Sequence, residues 1–185
     1  MKTKNLLLII PGILLLLIFS GCTIKDVLTN KKSFVIIELA GPLKNGTFKI
    51  ETGGVDDPDT FQNATGLFIP NEETNEDTAL VTFQDFDQDL TVGFVFPAKK
   101  GLNELLFDET DEYISITFNS EELILVSKLV SLNITKFKKM ENILSGISGT
   151  FSAKGSFTGT VVYIDSATNE EYIHILTGEF EYNPF

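Results

Sequence analysis

Cys22 is the only cysteine in the chain, and it stands directly behind an apolar leader in Phe19-Ser20-Gly21-Cys22. One cysteine allows no intramolecular disulfide. His174 is the only histidine. Zinc sites usually gather several Cys or His ligands, and this chain has one of each. A Ser-His-Asp arrangement needs a single histidine, but there is no G-x-S-x-G elbow, and Gly146-Ile147-Ser148-Gly149 lacks its spacing. A structural or surface role is expected for His174.

The carboxylates are the other candidates. Asp85-Phe86-Asp87-Gln88-Asp89 has the D-x-D-x-D spacing that opens a calcium loop. That pattern continues with Gly at its sixth position and Glu at its twelfth, where this chain has Leu90 and Phe96. The segment reads as a solvated acidic loop, with a weak calcium site as the alternative. Asp56-Asp57-Pro58-Asp59 and Asp108-Glu109-Thr110-Asp111-Glu112 read as charged turns. A carboxylate pair for glycoside hydrolysis is a spatial property, and the absence of Trp argues against a sugar-cleaving cleft. Lys128, Lys136, Lys138 and Lys139 form the one basic cluster, expected to be a solvated strand face.

Lys2 and Lys4 precede the apolar stretch Leu6 to Phe19, and small residues close it, which is the layout of a signal peptide. Pro11 and Gly12 interrupt the stretch, and it falls short of the roughly 20 residues a helix needs to cross hydrocarbon. Phe19-Ser20-Gly21-Cys22 resembles the lipobox of bacterial lipoproteins, with Phe19 where Leu is most usual. That resemblance implies cleavage between Gly21 and Cys22, diacylglycerol on the Cys22 thiol, acylation of the new amine with a fatty acid such as palmitate, and attachment to a membrane. Thr23, where Asp would imply inner-membrane retention in lipoproteins of Gram-negative type, implies the outer membrane. Which face displays the domain stays open.

All 14 basic residues are Lys, and two of them lie in the leader, whereas all 26 acidic residues follow it. The mature chain therefore carries 12 Lys against 26 Asp and Glu, a formal charge of −14. Nucleic acid, which demands clustered Lys and Arg, is excluded as a partner. A body this acidic is also not expected to lie flat on an anionic leaflet. The charge serves solubility.

The elements that must carry these groups read as strands. Residues 1–21 are the leader, 22–33 a polar lipidated tether, and 34–185 a single domain. Alternation and turn residues predict strands at Phe34–Leu39, Thr47–Glu51, Leu67–Ile69, Ala79–Phe83, Leu90–Phe96 and Tyr113–Phe118. Glu122–Leu132 fits a buried strand or a short helix, and the continued alternation to Phe137 favours the strand. Gly101–Leu106 is the best helix candidate. Ile143–Phe157, Gly159–Asp165 and Glu171–Tyr182 read as three antiparallel strands, with Ser166-Ala167-Thr168-Asn169 as a hairpin loop. Gly146, Gly149, Gly155 and Gly178 inside strands predict bulges or bends. The expected fold is all-β, an antiparallel sandwich or partly closed barrel with little helix.

Ile134-Thr135-Lys136-Phe137, Ile147-Ser148-Gly149-Thr150-Phe151-Ser152-Ala153 and Leu176-Thr177-Gly178-Glu179-Phe180 resemble the ends of small Bacteroidota lipoproteins of unknown function. The resemblance implies a β-rich exported domain and no particular activity. Asp77-Thr78-Ala79 and Asp165-Ser166-Ala167 are similar to the short O-glycosylation acceptor pattern of that group. The reading is a lipid-anchored envelope protein, non-enzymatic and without cofactor, acting through binding or assembly on an envelope protein, glycan or small ligand. The alternatives are an envelope hydrolase working through carboxylates or His174, and a calcium-stabilised adhesion module.

Overall fold

In Phe34–Ala40, Val35, Ile37 and Leu39 are buried while Ile36, Glu38 and Ala40 are more open, so the run folds as strand β1. The computed structural model describes residues 32–52, 62–69, 77–107, 112–140 and 150–184. Cys22, Gly21, the leader and the tether as far as Lys31 lie outside the described residues, as do Asp56 to Asp59, Asp108 to Asp111, Gly146 and Gly149.

The same period of two builds β2 (Gly46–Glu51), β3 (Gln62–Ile69), β4 (Thr78–Asp85), β5 (Leu90–Pro97), β6 (Gly101–Leu105), β7 (Tyr113–Phe118), β8 (Leu123–Met140), β9 (Thr150–Ile164) and β10 (Glu171–Tyr182). Three quarters of the described residues are strand and 2% are helix, so among them no helical layer covers the sheet. All pairings are antiparallel, in the order β2-β1-β10-β9-β8-β7-β5-β4-β3, with β6 paired to β8 beside that path. This one sheet curls into a half-barrel. The all-β expectation holds, in its partly closed form rather than as two stacked sheets.

Three details differ from the sequence reading. Gly101–Leu106 is not helical: Leu102, Leu105 and Leu106 would share a helical face, but β8 offers an edge, and Gly101 to Leu105 pair with Ile134 to Val130. Asn103 and Leu105 then point inward and Leu102 outward. The expected break near Phe157 to Gly159 is absent, because β9 runs unbroken from Thr150 to Ile164. Gly159 instead lets two backbones meet: a Cβ there would stand 2.1 Å from the Leu129 carbonyl oxygen. Beside it lies one of two register shifts of β8 against β9, between Ser127 and Leu129; the other falls between Ile134 and Lys136, close to Gly155. Leu67–Ile69 is the end of a longer strand, β3. The hairpin at Ser166 to Asn169 forms as expected, with the Asp165 carboxylate accepting from the Ala167 and Thr168 amides.

Phenylalanine fills the inside of the curl. Phe83, Phe94, Phe96, Phe151 and Phe180 are fully buried. Phe94 and Phe180 stack with centroids 4.7 Å apart, and Phe94 meets Phe157 at 5.3 Å. Such ring pairs add about 0.5–1.5 kcal/mol each to the area they bury. The five rings come from β4, β5, β9 and β10, so the packing ties together strands distant along the sheet.

Candidate binding face

β10 carries exposed aliphatic side chains on its outer face in its first half. His174 and Leu176 point inward, and Ile173 and Ile175 point outward. β9 and β8 do the same at the matching register. Ile173 lies opposite Val162, which lies opposite Val126. In the next outward row, Ile175 lies between Ala40 of β1 and Thr160 of β9, and Thr160 lies opposite Leu129. The result is an apolar band across the convex face, with Ile175 59%, Leu129 50% and Ile173 46% exposed. Exposed apolar side chains grouped this way on a folded domain mark a contact surface.

A shallow hollow of about 210 Å³ adjoins the band, lined by Leu106, Phe107, Val126, Val162 and Ile164. Lys128 and Glu171 form an ion pair on its rim. Phe107 is half-exposed and set edge-on against Tyr113, their centroids 5.4 Å apart. Apolar walls with one charge of each sign at the margin suit an apolar protein surface or a short side chain. Covering the remaining half of each exposed Ile or Leu would contribute on the order of 1 kcal/mol. The sequence signal for this face was present: Leu123-Ile124-Leu125-Val126, Val161-Val162 and Ile173-His174-Ile175-Leu176 are apolar runs where a one-faced strand alternates.

The residues singled out by chemistry serve other ends. His174 is fully buried, which removes the surface alternative. Its Nε2 accepts from the Leu43 and Lys44 amides at 3.2 and 3.1 Å, and its Nδ1 lies 3.1 Å from the Tyr172 carbonyl oxygen. A ring that accepts at Nε2 carries its proton on Nδ1, so Nδ1–H donates to Tyr172. His174 therefore organises the loop between β1 and β2, and Gly41 makes room for it: a Cβ on Gly41 would stand 2.2 Å from the His174 Cδ2.

Asp85 is buried, and its Oδ1 accepts from the Asp87 and Gln88 amides, each at 3.0 Å, while Oδ2 accepts from Gln88 Nε2 at 2.7 Å. The first carboxylate of the acidic triplet thus closes the β4–β5 turn. Among the described residues no group of three or more His, Cys, Asp or Glu side chains is placed to hold a metal ion. Of the basic cluster, Lys128 lies near the start of β8 and bonds Glu171, whereas Lys139 lies at its far end, bonds Asp77 and covers the Phe68 ring at 4.4 Å. They share a strand without forming one patch.

Among the perturbed groups, the Tyr172 hydroxyl donates to Glu170 Oε2 at 2.8 Å, and that bonded carboxylate pushes the phenol above its ordinary value. Burial pushes the Tyr182 phenol up as well. No protein-family model, characterised protein or solved structure matches this chain.

Proposed function

We propose that the chain is a lipid-anchored cell-envelope protein, held at the outer membrane through Cys22, that works by binding or assembly rather than by catalysis. The observation that carries the anchor is Phe19-Ser20-Gly21-Cys22 behind a charged and then apolar leader. Two or three acyl chains, at about 0.8 kcal/mol per buried methylene, hold a protein to a bilayer effectively for good. An inside filled by phenylalanine rings favours contact at a surface over carriage of a small ligand in a cavity. The convex band of Ile173, Ile175 and Leu129 is then the surface offered, and its aliphatic character favours a protein partner over a glycan.

Metabolic labelling with an alkyne fatty acid tests the anchor. Wild type takes the label and partitions with membranes, and Cys22→Ser does neither; a membrane-bound, unlabelled wild type overturns it. A photo-crosslinking residue in place of Ile175 tests the face in intact cells. A discrete crosslinked protein species is expected from Ile175 and not from Ser156, which lies outside the band; equal patterns from both positions sink the assignment.

A further inference from the structure

The strand register sorts the charges toward opposite ends of the domain. The proximal end is where the chain enters β1 at Phe34. Ser33 is buried there, its Oγ donating to the Asn183 carbonyl at 2.8 Å and accepting from the Asn183 amide at 2.9 Å. The root of the tether is thus clamped to the end of β10. Following the pairings outward, eight of the ten described lysines lie in this proximal half, among them Lys32, Lys99, Lys136, Lys138 and Lys154. Of the acidic residues there, Glu51, Asp77 and Glu181 are each bonded to a lysine, and Glu179 is exposed at the register of Lys49.

The distal half is the reverse. Asp85, Asp87, Asp89, Glu121, Asp165 and Glu171 gather at the turns β4–β5, β7–β8 and β9–β10. Its two lysines, Lys44 and Lys128, are each bonded to a glutamate. At the proximal end β8 carries Lys136, Lys138 and Lys139, and β9 carries Lys154. Lys136 and Lys138 are exposed there and make no ion pair among the described residues.

We infer that the domain stands on its membrane with this lysine-bearing end against anionic phospholipid headgroups and its acidic turns pointing away. The inference rests on the anchor reading for its membrane. From Cys22 to Lys31 the chain reaches at most about 35 Å, and the tether ends at the lysine side. Attraction of exposed lysines and repulsion of the acidic end act in the same sense within a Debye length of about 8 Å of the surface. Although the net charge is strongly negative, its distribution gives the domain a preferred face.

The test uses the mature chain with Cys22→Ser and Ser166→Cys, hung from nickel-chelating lipid by an N-terminal hexahistidine tag. Ser166 is exposed in the distal β9–β10 hairpin, and a dye there reports its height by energy transfer to headgroup acceptors. On vesicles containing phosphatidylglycerol, transfer is expected to be about twofold lower than on phosphatidylcholine alone, and high salt should remove the difference. Lys136→Glu with Lys138→Glu, on a domain of unchanged circular dichroism, should remove it too. Equal transfer on the two lipids, or higher transfer on the anionic one, overturns the orientation. Because the tag replaces the acyl chains, this result is separate from the anchor, which fails only if intact Cys22 carries no lipid.

Discussion

Gly66 of edge strand β3 lies against the phenol ring of Tyr182 at the end of β10. A Cβ on Gly66 would stand 2.3 Å from Cε1 and 2.8 Å from the hydroxyl oxygen of Tyr182. β3 and β10 are not paired in the ladder, so this contact helps hold the curl of the sheet through a side chain.

Gly66→Ala should therefore lower stability by about 1–3 kcal/mol, since the ring is buried and has no room to retreat. Urea unfolding checks it. In Gly66→Ala with Tyr182→Leu the two losses should be clearly less than additive; full additivity would show that the two residues act independently.

The same logic applies to His174 and Gly41. His174→Ala strips the Leu43 and Lys44 amides of their acceptor and empties a buried site, and should cost about 2–4 kcal/mol. Gly41→Ala, whose new methyl would meet the imidazole, should destabilise the wild type and lose most of that effect in the His174→Ala background. Chemical denaturation of the four proteins measures the coupling.

Glu51 gives an acid-side signature. Hydrogen bonds from Lys32 and then Lys49 hold its carboxyl down to about 2, against an ordinary 4.5. A folded value below the unfolded one means the contribution is present above pH 4.5 and is lost as pH falls toward 2. The pair is at the surface and screened, so the loss should be no more than about 1 kcal/mol. Glu51→Gln should flatten the stability profile across that window while leaving the rest unchanged.

Asp85 tests the turn against the calcium reading. Asp85→Ala should cost about 1–3 kcal/mol by leaving the Asp87 and Gln88 amides without their charged acceptor. Calcium should move the melting temperature of the wild type by less than about 1 °C, since a ligand stabilises only by binding the folded state. A rise of several degrees that disappears in Asp85→Ala would restore the calcium site.

At Gly159 the close approach is of backbone to backbone. Gly159→Ala should cost more than about 3 kcal/mol, because the Leu129 carbonyl has no rotamer by which to withdraw. Differential scanning calorimetry of this variant beside a Ser156→Ala control separates that clash from a general intolerance of β9.

The sequence by itself determined the all-β class and most strand positions, because alternation of buried and exposed side chains is a local property of the chain. The anchor proposed at Cys22 likewise rests on sequence alone, on adjacent small residues and an apolar leader. It misread Gly101–Leu106 because leucine spacing there suits a helical face, and only the free edge of β8 favours a strand. It broke β9 at Gly159 because a glycine looks the same from sequence whether it bends a strand or admits a neighbouring backbone. What the tertiary structure decided is how distant residues share a surface. It brought Ile173 beside Val162 and Val126, gave His174 to a loop more than a hundred residues earlier, and sorted lysines and carboxylates toward opposite ends. These depend on register between strands far apart in the chain, and a shift of one residue would turn each side chain to the other face.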